Sequence, residues 1–233
     1  MALYYNKTRG VEAAAEVGEG IPPARTRVRR RAGRARYDRE AINEILDEGL
    51  VGHVAFAVDE QPYAIPMLYA RDGDELYLHG SPLSRLVGEI AGGIKVCLTV
   101  TLIDGLVLAR SAFHHSVNYR SVVAFGSGRP IRDHARKRDA LRALVERIVP
   151  GRSDDVRGPS EGELDATEVL ALSLEEASAK IRTGPPLDSS SDYALRTWAG
   201  ELPLRLVAGD PVPDPDCVLP VPDYLNHYAR ARD

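Results

Sequence analysis

The sequence is short of cysteine and of long apolar runs, and each shortage excludes a class of protein. Its two cysteines, Cys97 and Cys217, cannot build a disulfide framework or a cysteine-rich zinc module. No apolar run approaches the ~20 residues that cross a bilayer, and the first residues lack the hydrophobic block of a secretory signal. We therefore expect a cytoplasmic protein with no membrane partner.

Motifs of several common enzyme classes are also missing. The chain has no Gly-x-Ser-x-Gly elbow of a serine hydrolase, no Walker loop and no Gly-x-Gly-x-x-Gly segment after a strand. It has no His-x-x-x-His or Cys-x-x-Cys pair, and the adjacent His114 and His115 would point to opposite faces of a strand. We therefore expect no metal site. A phosphate-bearing ligand would have to be held outside the two commonest nucleotide-binding folds.

Positive and negative charges nearly balance, with 30 lysines and arginines against 34 aspartates and glutamates. With 44% hydrophobic residues, the chain can bury one sizeable core or two small ones. The exception to the balance is a run of seven arginines between Arg25 and Arg36. Because this run lacks interleaved aromatic residues and precedes an acidic protein, a solvated face or an oligomer contact is favoured over a nucleic-acid arm.

Composition and periodicity divide the chain into three parts. We predict a flexible tail at residues 1–24, one domain at 25–210 and a proline-rich extension at 211–233. Five prolines between Pro211 and Pro222 exclude regular structure there.

Helical spacing of apolar residues predicts three helices inside the domain. The first begins after an Asp38 N-cap and ends at Gly49, the second covers residues 82–91, and the third and longest covers 134–149. The acidic segment 152–165 is expected to be a loop. A short helix over 224–232 is expected to close the chain.

Alternating apolar residues and tight turns predict an antiparallel meander of six strands, and closure into a small barrel would remove its exposed edges. The predicted strands cover residues 54–58, 63–70, 75–79, 95–103, 106–112 and 122–126. Asp104-Gly105 is predicted to be the turn of a hairpin. Residues 168–175 also have strand character, and we expect residues 179–183 to extend this strand. Pro66 cannot donate a ladder hydrogen bond, so its strand lies at an edge or is bulged there.

The segment Tyr77–Arg85 is predicted to be a strand that breaks into a helix. Ser81 would cap that helix, Pro82 would lie in its first turn and Arg85 one turn further along. Hydroxyls, backbone amides and a guanidinium that converge in this way suit a phosphate group, although a capped helix with a surface arginine explains the same residues. His79 at the strand end either bonds a ligand or carries a proton, or is a histidine with satisfied hydrogen bonds at the barrel rim.

The order and spacing of these segments resemble those of the pyridoxamine 5'-phosphate oxidase-like flavoproteins, nearest to the branch of the nitroimidazole-resistance proteins. The likeness runs from about Arg25 to Leu206. It rests on the strand 53–58, Ala-Ile-Pro-Met-Leu-Tyr, Leu-Tyr-Leu-His-Gly-Ser, Ser84-Arg85 and Asn-Tyr-Arg-Ser-Val-Val at 118–123. The resemblance implies a mainly β (α+β) fold, a six-stranded antiparallel split β-barrel of the FMN-binding type with flanking helices.

The resemblance also implies a homodimer with FMN at the subunit interface. The implied cofactor-binding residues are Ile65, Pro66, Met67 and Leu68 along the isoalloxazine ring, His79, Gly80, Ser81, Ser84 and Arg85 around the phosphate, and Tyr119, Arg120, Ser121, Trp198 and Arg205. The family's oxidases carry an arginine and a lysine on the second strand, whereas this chain has no basic residue there before Arg71. This difference argues against pyridoxine phosphate as the substrate and leaves Arg85 as the main phosphate partner.

From the resemblance we expect a flavin-dependent oxidoreductase that acts on a small molecule. His79 or Tyr119 would be the proton donor to the substrate. The alternative is a non-catalytic binding or sensor module on the same fold, with FAD, deazaflavin or haem as alternative cofactors. A nucleic-acid binder that uses the arginine run ranks last.

Overall fold

The computed structural model describes residues 23–226 and residue 228, so most of the predicted tail and the end of the predicted last helix lie outside the described residues. The α-helices of this part are α1 (Arg39–Glu48), α2 (Arg85–Ala91), α3 (His134–Ile148), α4 (Glu161–Ala166) and α5 (Asp223–Asn226). Its strands are β1 (Ala35–Arg36), β2 (Val51–Val58), β3 (Gln61–Leu68), β4 (Ala70–Asp72), β5 (Glu75–Gly80), β6 (Lys95–Leu108), β7 (Ser116–Ser127), β8 (Arg129–Pro130), β9 (Glu168–Ser173), β10 (Glu176–Arg182) and β11 (Gly200–Pro203).

The strands form two antiparallel sheets. The larger sheet has the order β1-β10-β7-β6-β2-β3, with β11 also paired to β6, and the smaller sheet has the order β4-β5-β9-β8. The expected antiparallel architecture with flanking helices is therefore confirmed. The expected closure is wrong, because β1 and β3 remain the outer strands of the larger sheet in the described part of the chain. Pro66 lies on β3, so its predicted edge position is confirmed.

The main hydrophobic core lies between the two sheets and is covered by α1 and α2. Helix α1 follows the prediction: the Asp38 carboxylate accepts a hydrogen bond from the Ala41 N–H, and Ile42, Ile45 and Leu46 are buried on one face. A second cluster lies on the other side of the smaller sheet, where α3 packs on Tyr77 of β5. Because Leu76 and Leu78 belong to the main core, β5 has one face toward each cluster.

The predicted hairpin at Asp104-Gly105 is wrong. Strand β6 runs through it for 14 residues, with only a shift of register between Ile103 and Gly105. Strand β7 begins at Ser116 and pairs with both halves of β6, so the polar segment 116–121 is strand and not a loop. A Cβ atom at residue 105 would lie 3.0 Å from the Leu202 carbonyl oxygen of β11. The lack of a side chain at Gly105 therefore allows a β-bulge to lie close to the neighbouring strand β11.

Three other boundaries differ from the prediction. Helix α2 begins at Arg85 with Ser84 in the N-cap position, so Ser81 does not cap it; the Ser81 hydroxyl oxygen accepts a hydrogen bond from the Leu83 N–H. The predicted loop 152–165 contains α4, whose capping box joins Ser160 and Glu163. Strand β10 does not extend β9 but lies in the other sheet.

The remaining features follow the sequence. Helix α3 matches the predicted long helix, with Asp133 as its N-cap. Residues 211–222 contain no helix or strand, and α5 is shorter than predicted. Beyond it, the Tyr228 hydroxyl donates to the Ile148 carbonyl oxygen at the end of α3. No helix in the described residues has both the length and the apolar character needed to cross a membrane.

Candidate functional site

The four residues predicted to lie along a flavin, 65–68, are on strand β3, and their side chains alternate between its two faces. Ile65 and Met67 pack against the main core, whereas Pro66 and Leu68 are exposed on the opposite face. This alternation follows from the two-residue period of a strand, and β3 bulges at none of these positions, since each pairs in order with β2. Of these four residues, Pro66 and Leu68 have the exposed side chains that a ligand beside β3 would contact.

The residues predicted to bind a phosphate at the strand–helix break are arranged differently from the prediction. Ser81, Ser84 and Arg85 are all exposed, and the Ser84 side chain makes no capping hydrogen bond. Arg85 Nη1 donates to the Tyr63 hydroxyl at 2.7 Å, and its guanidinium carbon lies 5.1 Å from the centre of that ring. The break therefore meets β3 through Tyr63. Two hydroxyls and a guanidinium that has no carboxylate partner among the described residues form a donor set that fits a phosphate.

Gly80 joins β5 to this break at a place where no larger residue fits. A Cβ atom there would lie 2.9 Å from Cγ2 of Val87 on α2. The glycine lets the first turn of α2 approach the end of β5 closely. It positions the predicted phosphate-binding residues and offers no side chain of its own.

His79 lines a separate cavity beneath α3. Its Nδ1 atom is buried and has no hydrogen-bond partner within the described part of the chain, and burial lowers the pKa of the imidazole below its usual value. His79 has the same parity along β5 as Tyr77, which packs toward α3. The neutral ring therefore faces the α3 side of the smaller sheet.

The three residues predicted on β7 do not act together, because their side chains alternate between the two faces. Tyr119 and Ser121 are half-buried on one face, and Ser121 Oγ donates to the Lys180 carbonyl oxygen at 3.3 Å. Arg120 points to the other face, where it binds two carboxylates. Its Nη2 atom lies 2.6 Å from Asp104 Oδ1 and 2.7 Å from Glu48 Oε1.

These two carboxylates hold the Arg120 guanidinium in place. The hydrogen bonds that Arg120 donates to Glu48 and, with the next largest effect, to Asp104 raise its pKa above the ordinary value for arginine. The same side chain lines a cavity of about 460 Å³ with Arg205, which follows β11. Arg120 and Arg205 are thus the two predicted residues that share this cavity. Trp198, just before β11, is 68% exposed and is not among the residues that line it.

Sequence reasoning missed Tyr63, Glu48 and Asp104, although each binds a predicted site arginine. Glu48 and Arg120 are 72 residues apart, so no local spacing could have paired them. The sequence predicts a turn at Asp104, where its carboxylate would be solvated. Tyr63 gave a weak signal: it is the aromatic residue at the start of the strand that carries Pro66.

Comparisons with known proteins agree with the geometry. The sequence profile of the pyridoxamine 5'-phosphate oxidase family matches residues 38–181. The flavocytochrome Anf3 from Azotobacter vinelandii is 40% identical, with a TM-score of 0.84, and the alignment covers 89% of this chain and 98% of that one. The FAD and heme binding protein from Mycobacterium smegmatis is 37% identical, with a TM-score of 0.80 and coverage of 83% and 96%.

A more distant structure has the same fold. A putative 5-nitroimidazole antibiotic resistance protein from Bacteroides thetaiotaomicron is 23% identical, with a TM-score of 0.54, over 63% of this chain and 86% of that one. A search of curated proteins finds no match. The resemblance stated from the sequence is confirmed: this chain, a split β-barrel, belongs to the pyridoxamine 5'-phosphate oxidase family.

Proposed function

We propose that this protein binds a flavin, FMN or FAD, and is an oxidoreductase that uses it on a small molecule. The observation that carries the proposal is the 40% identity to a flavocytochrome over 89% of this chain. A second relative, 37% identical, is described as binding FAD and heme. FMN and FAD share the isoalloxazine ring, the ribityl chain and the first phosphate, so the same residues can serve either.

In this proposal, the residues at the strand–helix break bind the phosphate. Arg85, Ser81 and Ser84 offer charge-assisted and neutral hydrogen bonds at the surface, and no carboxylate in residues 23–226 pairs with Arg85 and competes with the ligand. The isoalloxazine ring lies along the exposed edge of β3, against Pro66 and Leu68. The flavin supplies hydride and electron transfer when bound, so the chain itself needs to bind, orient and shield it.

Two further parts of the proposal concern Tyr119 and the second subunit. Val51, Leu68 and Ile103 are exposed apolar side chains that share one face of the larger sheet, as the registers of β2, β3 and β6 require. An exposed apolar face suits a contact between two copies. Tyr119 lies on the same face opposite Ile103, so its hydroxyl could donate a proton at a flavin held between subunits. Trp198 and Arg205 would complete the site from the segment around β11.

The experiment is cofactor extraction from the full-length protein. We expect the protein to purify with flavin absorption, and mass spectrometry of the released cofactor separates FMN from FAD. Anaerobic addition of NADH or NADPH should bleach the flavin bands of an oxidoreductase. Bound flavin that neither NADH nor NADPH reduces, and that passes no electrons to an added acceptor after reduction by dithionite, would favour the non-catalytic module. Protein that binds neither FMN nor FAD contradicts the proposal.

A further inference from the structure

A small cavity lies where β1 pairs with β10, at the opposite end of the larger sheet's strand order from β3. Its volume is about 380 Å³, within the size range of small-molecule sites. The charged side chains that line it are all arginines, and no carboxylate among the described residues lines it. These three arginines are Arg34, Arg36 and Arg182.

Arg182, the last residue of β10, is a buried cation whose described hydrogen bonds all go to neutral groups. The residue is only 5% exposed. Its Nη1 atom donates to the side-chain oxygen of Asn118 and to the Gly184 carbonyl oxygen, the latter at 3.0 Å. Its Nη2 atom donates to the Pro185 carbonyl oxygen at 3.2 Å. Arginine is rarely buried to this extent unless an opposite charge pairs with it.

The surroundings of Arg182 disfavour its positive charge. Burial, followed by the repulsion from the positive charge of Arg34, lowers the pKa of Arg182 below the ordinary value for arginine. Glu201 attracts Arg182, but its carboxylate accepts a hydrogen bond from Asn118 Nδ2 at 2.6 Å and does not line the cavity. An anion in the cavity would compensate the charge of Arg182 directly.

The other two arginines come from the arginine run that begins at Arg25. Arg25 pairs with Glu176, whereas neither Arg34 nor Arg36 forms an ion pair within residues 23–226. Both are half-buried, and Arg36 Nη1 donates to the Ala35 carbonyl oxygen at 2.9 Å. The planar guanidinium group matches two oxygens of a phosphate. A phosphate dianion also balances three cations better than a single carboxylate does.

We propose that Arg34, Arg36 and Arg182 form a binding site for the phosphate group of a small molecule. Ile181, Pro185 and Leu187 line the remainder of the cavity and would contact an apolar part of such a ligand. The site shares no residue with the proposed flavin site, so each proposal can fail without the other.

The test is calorimetric titration of the full-length protein with pyrophosphate, carried out with FMN in excess so that the proposed flavin site is occupied. We expect one pyrophosphate per chain and no binding of acetate. Arg34→Ala and Arg36→Ala should each weaken pyrophosphate binding about tenfold or more, because each removes a charge-assisted hydrogen bond. Arg182 is buried and its replacement can impair folding, so the test does not depend on it.

The matched control is Arg30→Ala, which removes the same charge from an exposed position of the same run outside the cavity. Its affinity for pyrophosphate should stay within about twofold of wild type, less than the effect of a lost charge-assisted hydrogen bond. The midpoint of thermal unfolding reports folding separately. Arg34→Ala should not lower that midpoint, because the substitution relieves repulsion of Arg182.

Titration with ADP distinguishes two sources of the phosphate. Tighter binding of ADP than of pyrophosphate would indicate a nucleotide-like ligand, and the reverse an inorganic one; either supports a phosphate site. The proposal is overturned if the wild-type protein binds neither probe, if acetate binds as tightly, or if Arg30→Ala loses as much affinity as Arg34→Ala. It is also overturned if a single-stranded oligonucleotide binds more tightly and displaces pyrophosphate, since the partner would then be a nucleic acid.

Discussion

Arg85 and Arg120 were both predicted to contact one cofactor, yet their surroundings differ completely. Arg85 is exposed, and the one hydrogen bond described for it goes to the neutral hydroxyl of Tyr63. Arg120 is mostly buried and donates to the carboxylates of Glu48 and Asp104. The charge of Arg85 is available to an anion, whereas the charge of Arg120 is already neutralised. The partners of an arginine, rather than its place in a motif, decide whether it can bind a ligand.

Removing Arg120 tests the structural side of this comparison and has the largest expected effect. Arg120→Ala removes the guanidinium that pairs with the partly buried carboxylates of Glu48 and Asp104, which should lower the free energy of unfolding by about 3 kcal/mol. Urea denaturation followed by circular dichroism measures the change. Flavin bound per folded molecule should stay within about twofold of wild type, a change smaller than the effect of a lost charge-assisted hydrogen bond. Loss of flavin without loss of stability would reverse the assignment of the two arginines.

Removing Arg85 tests the ligand-binding side. Arg85→Ala should weaken FMN binding by about 2 kcal/mol, because it removes a charge-assisted hydrogen bond to the phosphate. Stability should change by no more than about 0.5 kcal/mol, as for an ordinary surface substitution. Fluorescence quenching of added FMN gives the affinity, with Arg129→Ala, another exposed arginine, as the matched control. Affinity within twofold of wild type would show that the phosphate binds elsewhere.

Removing the Tyr63 hydroxyl should weaken FMN binding less than removing Arg85, because the hydroxyl acts by orienting the Arg85 guanidinium. Tyr63→Phe keeps the ring that stacks on Phe56 at 5.2 Å but frees the guanidinium. We expect FMN binding to weaken by about 0.5–1 kcal/mol, the contribution of one neutral hydrogen bond that orients a charged group. The double variant with Arg85→Ala should be no weaker than Arg85→Ala alone. Additive losses would mean that Tyr63 contacts the flavin itself.

The two arginines also show what the sequence could and could not predict. The motif around Arg85 is local, so its exposed serines and glycine could be found from nine consecutive residues, although the start of α2 was placed three residues early. The partners of Arg120 depend on which strands pair. The composition of Asp104-Gly105 fits both a hairpin turn and a β-bulge. Strand β7 distinguishes the two, because it is long enough to pair with β6 on both sides of this dipeptide.

The surroundings of His79 likewise depend on a contact between segments that are distant in the sequence. Its position at a strand end was evident, and the alternation of β5 could have shown that it shares a face with Tyr77 and not with Leu76 or Leu78. What covers that face could not be predicted, because α3 comes from a segment more than fifty residues away. The capping box of α4 was a missed local signal, since Ser160 and Glu163 have the required spacing and residue types.

The ion pair of Glu163 with Arg157 is more exposed than that of Arg120 with its carboxylates. Its removal should therefore change stability least among the predicted substitutions. Two hydrogen bonds from Arg157, followed by those of the Ser160 cap, lower the pKa of Glu163 to about 2, below its ordinary 4.5. A carboxyl with a lowered pKa in the folded state stabilises the protein above pH 4.5, and this contribution is lost as the pH falls from 4.5 through 2.

Glu163→Gln removes this carboxyl and should therefore flatten that part of the pH dependence. Denaturation midpoints of wild type and variant should differ most near neutral pH and converge in acid. High salt should also reduce the difference, because both partners are exposed and screened, in contrast to the carboxylates around Arg120. A protonated glutamic acid and glutamine carry no charge, so a difference that persisted in acid would come from unequal hydrogen bonding in the capping box and not from charge.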